Sequence, residues 1–291
     1  MPYASVGKII LVMLFWAACF PLITVGIKYA PHLGFAALRA VVSGAALLAI
    51  AVLLRRPFPT TFVTWAVIAL IGIGATSLGF FGMFHAAEFI GPGIATVIAN
   101  SQPLLAAAIG TAVLSERLTP SGYVGLALGF LGILVIALPN LLAGQETYYG
   151  TGVAFILLAA SGITISNVLI KKVAGSMDGL VAMGLQLMIG SIPLIAIAAS
   201  TEEFGNIRWN GEFISTLLAL SLLGTSLAYW LWMTILETVP LYKANAFSFL
   251  VPIFGLMMGM FFFDETISIF EMIGISVAVA GVIVISLPQR T

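Results

Sequence analysis

The stretch EFIGPGIATVIANSQPLLAAAIGTAVLSERLTPSGYVGLALGFLGILVIALP, residues 88–139, returns as ETVPLYKANAFSFLVPIFGLMMGMFFFDETISIFEMIGISVAVAGVIVISLP, residues 237–288. One constant offset without a gap puts Glu88 on Glu237, Pro103 on Pro252, Glu116 on Glu265, Gly125 on Gly274, Gly132 on Gly281 and Pro139 on Pro288. Upstream, Thr76-Ser77 meets Thr225-Ser226, and a slightly different offset sets Lys28 on Lys172. The chain reads as a duplicated unit, and a repeat of this kind governs every later step of the reading.

Composition says what is duplicated. The chain is 61% hydrophobic and 8% charged, with a mean hydropathy of +1.18, against roughly a quarter charged in a soluble domain. It reads as an all-α integral membrane protein. A formal net charge of zero gives no basic or acidic surface for nucleic acid. The lone Cys19 excludes an internal disulfide and a Cys-rich metal site.

A bilayer core takes about 20 apolar residues per helix. Ten transmembrane helices are predicted, at roughly 8–28, 33–54, 61–87, 93–114, 121–138, 150–172, 179–199, 212–236, 241–263 and 269–287. Trp16-Ala17-Ala18-Cys19 faintly suggests a lipoprotein cleavage site, but the apolar run continues past it. Cytoplasmic loops retain Lys and Arg. With the N-terminus inside, that side carries Lys8, Arg55, Arg56, Arg117, Lys171, Lys172, Lys243 and Arg290, while the other keeps Lys28 and Arg208. Both termini are therefore expected to be cytoplasmic. Five spans per copy is an odd number, so residues 1–144 and 145–291 are read as two inverted-topology five-helix repeats, a build many secondary transporters use. Thr119-Pro120 and Ser268 with Glu271 supply helix starts for the fifth and tenth spans. Small residues let helices approach closely in lipid, so Gly125/Gly129, Gly255/Gly259 and Ala106/Gly110 are read as packing faces, one of which could be a dimer contact.

Polar groups at membrane depth are where function is sought, because they need a partner or a wet cavity. In the third span Ser77, Phe81, Phe84, His85 and Glu88 recur at helical spacing and are expected to share a face. That face suits an amphiphilic organic molecule; the alternative is that His85, near the span's end, simply meets water or a carbonyl. Glu88 reads as structural. Pro103 and Pro252 each free a carbonyl one turn back, beside Thr96, Asn100, Ser101 and Gln102 in one copy and Asn245 and Ser248 in the other. Such backbone faces protein or a cavity, so either cavity lining or a plain packing kink fits. Asn167 in the sixth span, Trp16 in the first and Tyr229 in the eighth complete the candidate binding set. Arg39, one turn into the second span, is read as snorkelling outward, with a structural or gating role. Glycines 72, 74, 79 and 82 and prolines 21, 103, 193 and 252 are candidate bending points.

No P-loop, nucleotide fingerprint or His-Glu-x-x-His pair occurs, so no cofactor, no metal and no enzymatic activity is expected. A scaffold or intramembrane enzyme would need a partner or a catalytic constellation that the sequence does not offer. No acid lies within the first span, which disfavours an exchanger of lipophilic cations, and no mid-span Lys/Arg cluster suits a sugar phosphate.

Leu-Ser-Glu-Arg-Leu-Thr-Pro (114–120) and Phe-Asp-Glu-Thr-Ile-Ser (263–268), each leading into a glycine-spaced last helix, resemble the drug/metabolite transporter superfamily, specifically its EamA-type members. Within it the chain looks most like the YddG-type bacterial amino-acid exporters. The resemblance implies a multi-pass carrier of the bacterial inner membrane. Its cargo would be aromatic amino acids, methionine, threonine and related metabolites, moved by alternating access. It implies a central cavity lined from spans one, three, four, six, eight and nine, and structural roles for Glu116 and Glu265. His85 has Thr234 in its place in the second copy, so the halves cannot contribute equally. A drug or other metabolite carrier is the alternative. Expected partners are the small-molecule substrate and the lipid bilayer, with a monomer or a homodimer as the assembly.

Overall fold

In lipid, a spanning segment must satisfy its own N–H and C=O groups, and a helix does so within one segment. The computed structural model describes residues 3–86, 89, 99–142, 149–202, 206–263 and 268–286, and among them there is no strand. In chain order the helices are α1 (Tyr3–Gly26), α2 (His32–Leu53), α3 (Phe62–Ala86), α4 (Gln102–Leu114) and α5 (Pro120–Leu142). There follow α6 (Tyr149–Val173), α7 (Gly179–Thr201), α8 (Gly211–Thr238), α9 and α10 (Ile269–Ser286). Helix α9 starts as Leu241–Ala246, tightens to a 3₁₀ turn at Phe247–Phe249 and continues as Leu250–Phe263. Eight of these helices hold stretches long and apolar enough to cross a membrane, while α4 and α5 supply shorter ones, Gln102–Leu114 and Pro120–Ile136. The protein is a multi-pass membrane protein. Glu88, Thr96 and Glu265 lie outside the described residues.

The helix starts follow from local chemistry. Thr119 Oγ1 accepts from Gly122 N at 3.1 Å to open α5. Ser268 and Glu271 form a reciprocal capping box at the start of α10, with bonds of 3.3 and 2.7 Å. Pro103 sits in the first turn of α4, where a missing N–H has no intrahelical partner to lose.

Both α3 and α8 carry a π-helical segment, Gly72–Leu78 and Leu222–Leu227, at matching positions of the repeat. In the second, the Thr225 hydroxyl donates to the carbonyl of Leu220, five residues back. In the first, Ser166 of α6 donates to the Ile71 carbonyl at 3.1 Å. A π turn adds a residue to the turn and re-aims the side chains beyond it.

The most extensive helix contacts are α5 with α10, α3 with α6 and α2 with α7. A Cβ on Gly125 would stand 2.8 Å from the Gly281 carbonyl, and one on Gly132 would stand 2.6 Å from that of Gly274. Rising numbers in α5 thus meet falling numbers in α10, so these two helices run antiparallel and meet through glycines that the sequence repeat aligns. Gly74 and Gly82 of α3 are close-packing positions: a Cβ at Gly74 would lie 2.6 Å from Gly162 O and one at Gly82 2.5 Å from Phe155 O. Gly255 departs the other way, since a Cβ there meets nothing within 4 Å.

The turn between α8 and α9 is clamped by two charges. Lys171 Nζ donates to the Leu236 and Val239 carbonyls at 2.6 and 2.9 Å. The Glu116 carboxylate accepts from Leu241 N and Tyr242 N at 2.8 and 3.4 Å. A cation on terminal carbonyls and an anion on first-turn N–H groups is the arrangement the helix dipole favours. This is the structural role expected of Glu116.

Candidate binding cavity

A cavity of about 200 Å³ lies within the helices. It is lined from α1 through α4 and from α6 through α9, with α5 and α10 left out. The expected set of lining spans is therefore enlarged by α2 and α7. They enter because their pairing carries Arg39, Met183 and Gln186 to the cavity wall.

One wall is aromatic. Trp16 of α1 lies 5.2 Å from Trp232 and 6.4 Å from Tyr229, centroid to centroid. Phe80 and Phe84 contribute from α3. Another wall is a chain of amides. Trp232 Nε1 donates to Asn167 Oδ1 at 2.9 Å, Asn167 Nδ2 donates to Asn245 Oδ1 at 3.3 Å, and Gln102 Nε2 reaches the same oxygen at 3.4 Å. Asn245 Nδ2 in turn donates to the Leu241 carbonyl at 3.1 Å. The relay joins α4, α6, α8 and α9 around the cavity, with Asn245 as its hub. Gln186 Nε2 and Ser248 Oγ, both buried on the lining, have no hydrogen-bond partner. Buried polar groups are rarely left so, and a bound polar ligand would satisfy them.

The lining takes in Trp16, Phe84, Asn100, Gln102, Asn167, Tyr229, Asn245 and Ser248 of the expected set. Ser77, Phe81 and His85 stand outside it. Ser77 donates to the Gly190 carbonyl at 2.8 Å, in the α3–α7 contact. Phe81 stacks on His85 at 5.1 Å, and both rings meet Phe155 edge-on. His85 Nδ1 is buried without a hydrogen bond. Phe80, Met83 and Phe84 face the cavity instead. Phe80, Phe81, Met83, Phe84 and His85 all share the regular α-helical turns Gly79–Ala86, so the expected stripe straddles the border between the cavity face and the adjoining packing face.

Phe80, Trp232, Gln186 and Arg39 are lining residues that the sequence reading did not place among the ligand contacts. Phe80 adjoins the expected stripe of α3. Gln186 had no signal in the repeat, since the two offsets put Arg39 on Met183 or Met188; only the matching bonds to Thr225 and Thr76 pair Arg39 with Gln186. Arg39 itself does not snorkel: it is 6% exposed. Its Nε donates to Thr225 Oγ1 at 2.8 Å, its Nη2 to Cys19 Sγ at 3.5 Å, and its guanidinium lies 4.6 Å from the centre of the Phe80 ring. Among the described residues, no three His, Cys, Asp or Glu side chains gather where a metal would sit.

Fold and cavity together define a multi-pass helical membrane protein with a cavity among its helices. The profile of the EamA-like transporter family matches residues 5–138 and again residues 150–287. The chain belongs to that family, whose members are drug/metabolite transporters. It is 29% identical over 283 residues to a probable amino-acid metabolite efflux pump of Salmonella typhimurium, covering 94% of this chain and 91% of that one. It is 27% identical over 264 residues to a WAT1-related chloroplastic protein of Arabidopsis thaliana, spanning 87% of this chain but only 62% of that protein's length. A solved crystal structure superposes with a TM-score of 0.82, covering 98% of both chains at 18% identity, which is a likeness of fold.

Proposed function

We propose that the protein is a secondary transporter that exports neutral, largely apolar amino acids and related metabolites across a bacterial inner membrane. The reading includes ten spans in two inverted five-helix halves, residues 1–144 and 145–291, with both termini cytoplasmic. Alternate opening of the central cavity to each side moves the substrate. The observation that carries the reading is the pairing of aromatic surface at Trp16, Trp232 and Phe84 with the amide relay through Asn245. An amino acid is an apolar side chain joined to a compact polar head, and such a wall holds both. Ligand sites are typically of this kind, apolar with a few placed polar groups. The similarity to a probable amino-acid metabolite efflux pump supports the same class. No enzymatic step enters the proposal.

Counterflow of labelled threonine, methionine and phenylalanine into liposomes holding the purified protein tests it. Exchange by wild type, reduced at least tenfold in Asn245→Ala, is the expected result. If no amino acid moves in a folded preparation, the amino-acid reading falls. The breadth of the aromatic wall favours the second reading, a carrier of other metabolites or drugs. Competition among chemically unrelated compounds would support it.

A further inference from the structure

Arg39 presents an unbalanced charge. It is buried on the cavity wall, it is the only Lys, Arg, Asp or Glu of the lining, and among the described residues it forms no ion pair. A charge inside a membrane protein is costly unless it is paired or faces a wet cavity. Thr225 Oγ1 and Cys19 Sγ accept from two of its five N–H groups. Phe80 covers one face of the guanidinium, an arrangement that leaves the in-plane N–H edge for a ligand.

The other half of the molecule indicates what the charge is not for. At the equivalent place, Gln186 of α7 accepts from Thr76 of α3 at 2.9 Å, as Arg39 of α2 bonds Thr225 of α8. The flanking bonds repeat too: Ser77 donates to the Gly190 carbonyl and Ser226 to that of Ser43, at 2.8 and 3.0 Å. A neutral amide therefore makes this helix-to-helix link in one half, and the link alone does not call for a guanidinium in the other.

We propose that Arg39 is the anion anchor of the cavity and takes the carboxylate of a monocarboxylate with an aromatic or aliphatic tail. Planar guanidinium and planar carboxylate match through two parallel N–H···O bonds. The tail then lies on the tryptophans: Trp16 precedes Cys19 by three residues on α1, so the ring wall begins about one helical turn, ~5 Å, from the guanidinium contact. This rests on the transport reading above and deepens it, assigning the acidic end of the substrate to the first half of the molecule.

The test uses 3-phenylpropanoate and its neutral isostere 3-phenylpropanamide. Both are titrated against the purified protein by the intrinsic fluorescence of the tryptophans, alongside phenylalanine counterflow in the same preparation. Wild type is expected to bind the carboxylate roughly tenfold or more tightly than the amide. Arg39→Gln is expected to bind both within about twofold, and its melting temperature should stay near wild type because its amide can bond Thr225 as Gln186 bonds Thr76. Arg39→Lys, which keeps the charge and loses the fork, should retain a reduced preference. No carboxylate preference in wild type, binding of neither probe, or a preference that persists in Arg39→Gln overturns the anchor, and the wild-type comparison decides even if Arg39→Gln fails to fold. An Arg39-dependent preference without amino-acid counterflow supports the anchor and sinks the amino-acid reading. Counterflow at the wild-type rate in Arg39→Gln does the reverse.

Discussion

Arg39 in the first half donates to Thr225 in the second through a 2.8 Å bond buried within the protein. Its counterpart links Thr76 to Gln186 at 2.9 Å. The two bonds differ in charge, so they differ in what their loss costs. Thr225→Val leaves a buried cation short of an acceptor and is expected to cost about 2–3 kcal/mol, against about 1 kcal/mol for Thr76→Val. Thermal unfolding of both variants in one detergent checks this. Equal losses would mean that the charge at position 39 adds nothing to this contact.

The glycine crossing of α5 and α10 gives a second prediction. Gly132→Ala pushes a methyl onto the Gly274 carbonyl and is expected to destabilise by about 1–3 kcal/mol. Gly255→Ala has open space around its new Cβ and is expected to be neutral or stabilising, by up to about 1 kcal/mol. Melting temperatures of the pair should move apart. If both fall alike, close helix approach is not the reason for glycine at position 132.

Phe81 and Phe84 separate stability from transport. Phe84 lines the cavity, whereas Phe81 packs on His85 and Phe155 outside it. Phe84→Ala should raise the apparent KM for an aromatic substrate at least several-fold. Phe81→Ala should lose about 2–3 kcal/mol of stability and leave KM within about twofold of wild type. A reversed pattern in counterflow would place the binding face on the Phe81 side of α3.

The clamp on the α8–α9 turn is open to the same treatment. Glu116→Ala leaves the buried Leu241 and Tyr242 with N–H groups that have lost their acceptor and is expected to cost about 1–2 kcal/mol. Lys171→Met should cost a similar amount through the Leu236 and Val239 carbonyls. Neither residue lines the cavity, so equilibrium binding should be unchanged in both variants. A weakened affinity at intact stability would show that the turn is coupled to the site.

Several features needed no coordinates. Runs of apolar residues long enough for a bilayer force helices, because lipid offers the backbone no other hydrogen-bond partners. Ser268 and Glu271, and Thr119 before Pro120, mark helix starts through contacts three residues apart, a distance that sequence spacing reports directly. The repeated Glu and Gly pattern marks the duplication and the family. Asn100, Gln102, Asn167 and Asn245 stood out as amides in apolar runs, since such groups need a cavity or a partner wherever the helices pack.

Tertiary structure alone decided which face of each helix meets the cavity. Periodicity groups residues into a face but does not say what that face meets: Phe80 and Phe84 line the cavity, while Phe81 and His85, on the adjoining face of the same regular turns, pack on Phe155. Arg39 drew its place from partners far along the chain, Thr225 above all. A contact between residues so distant in sequence is set by how α2 packs beside α8, and no spacing rule along one chain carries that information.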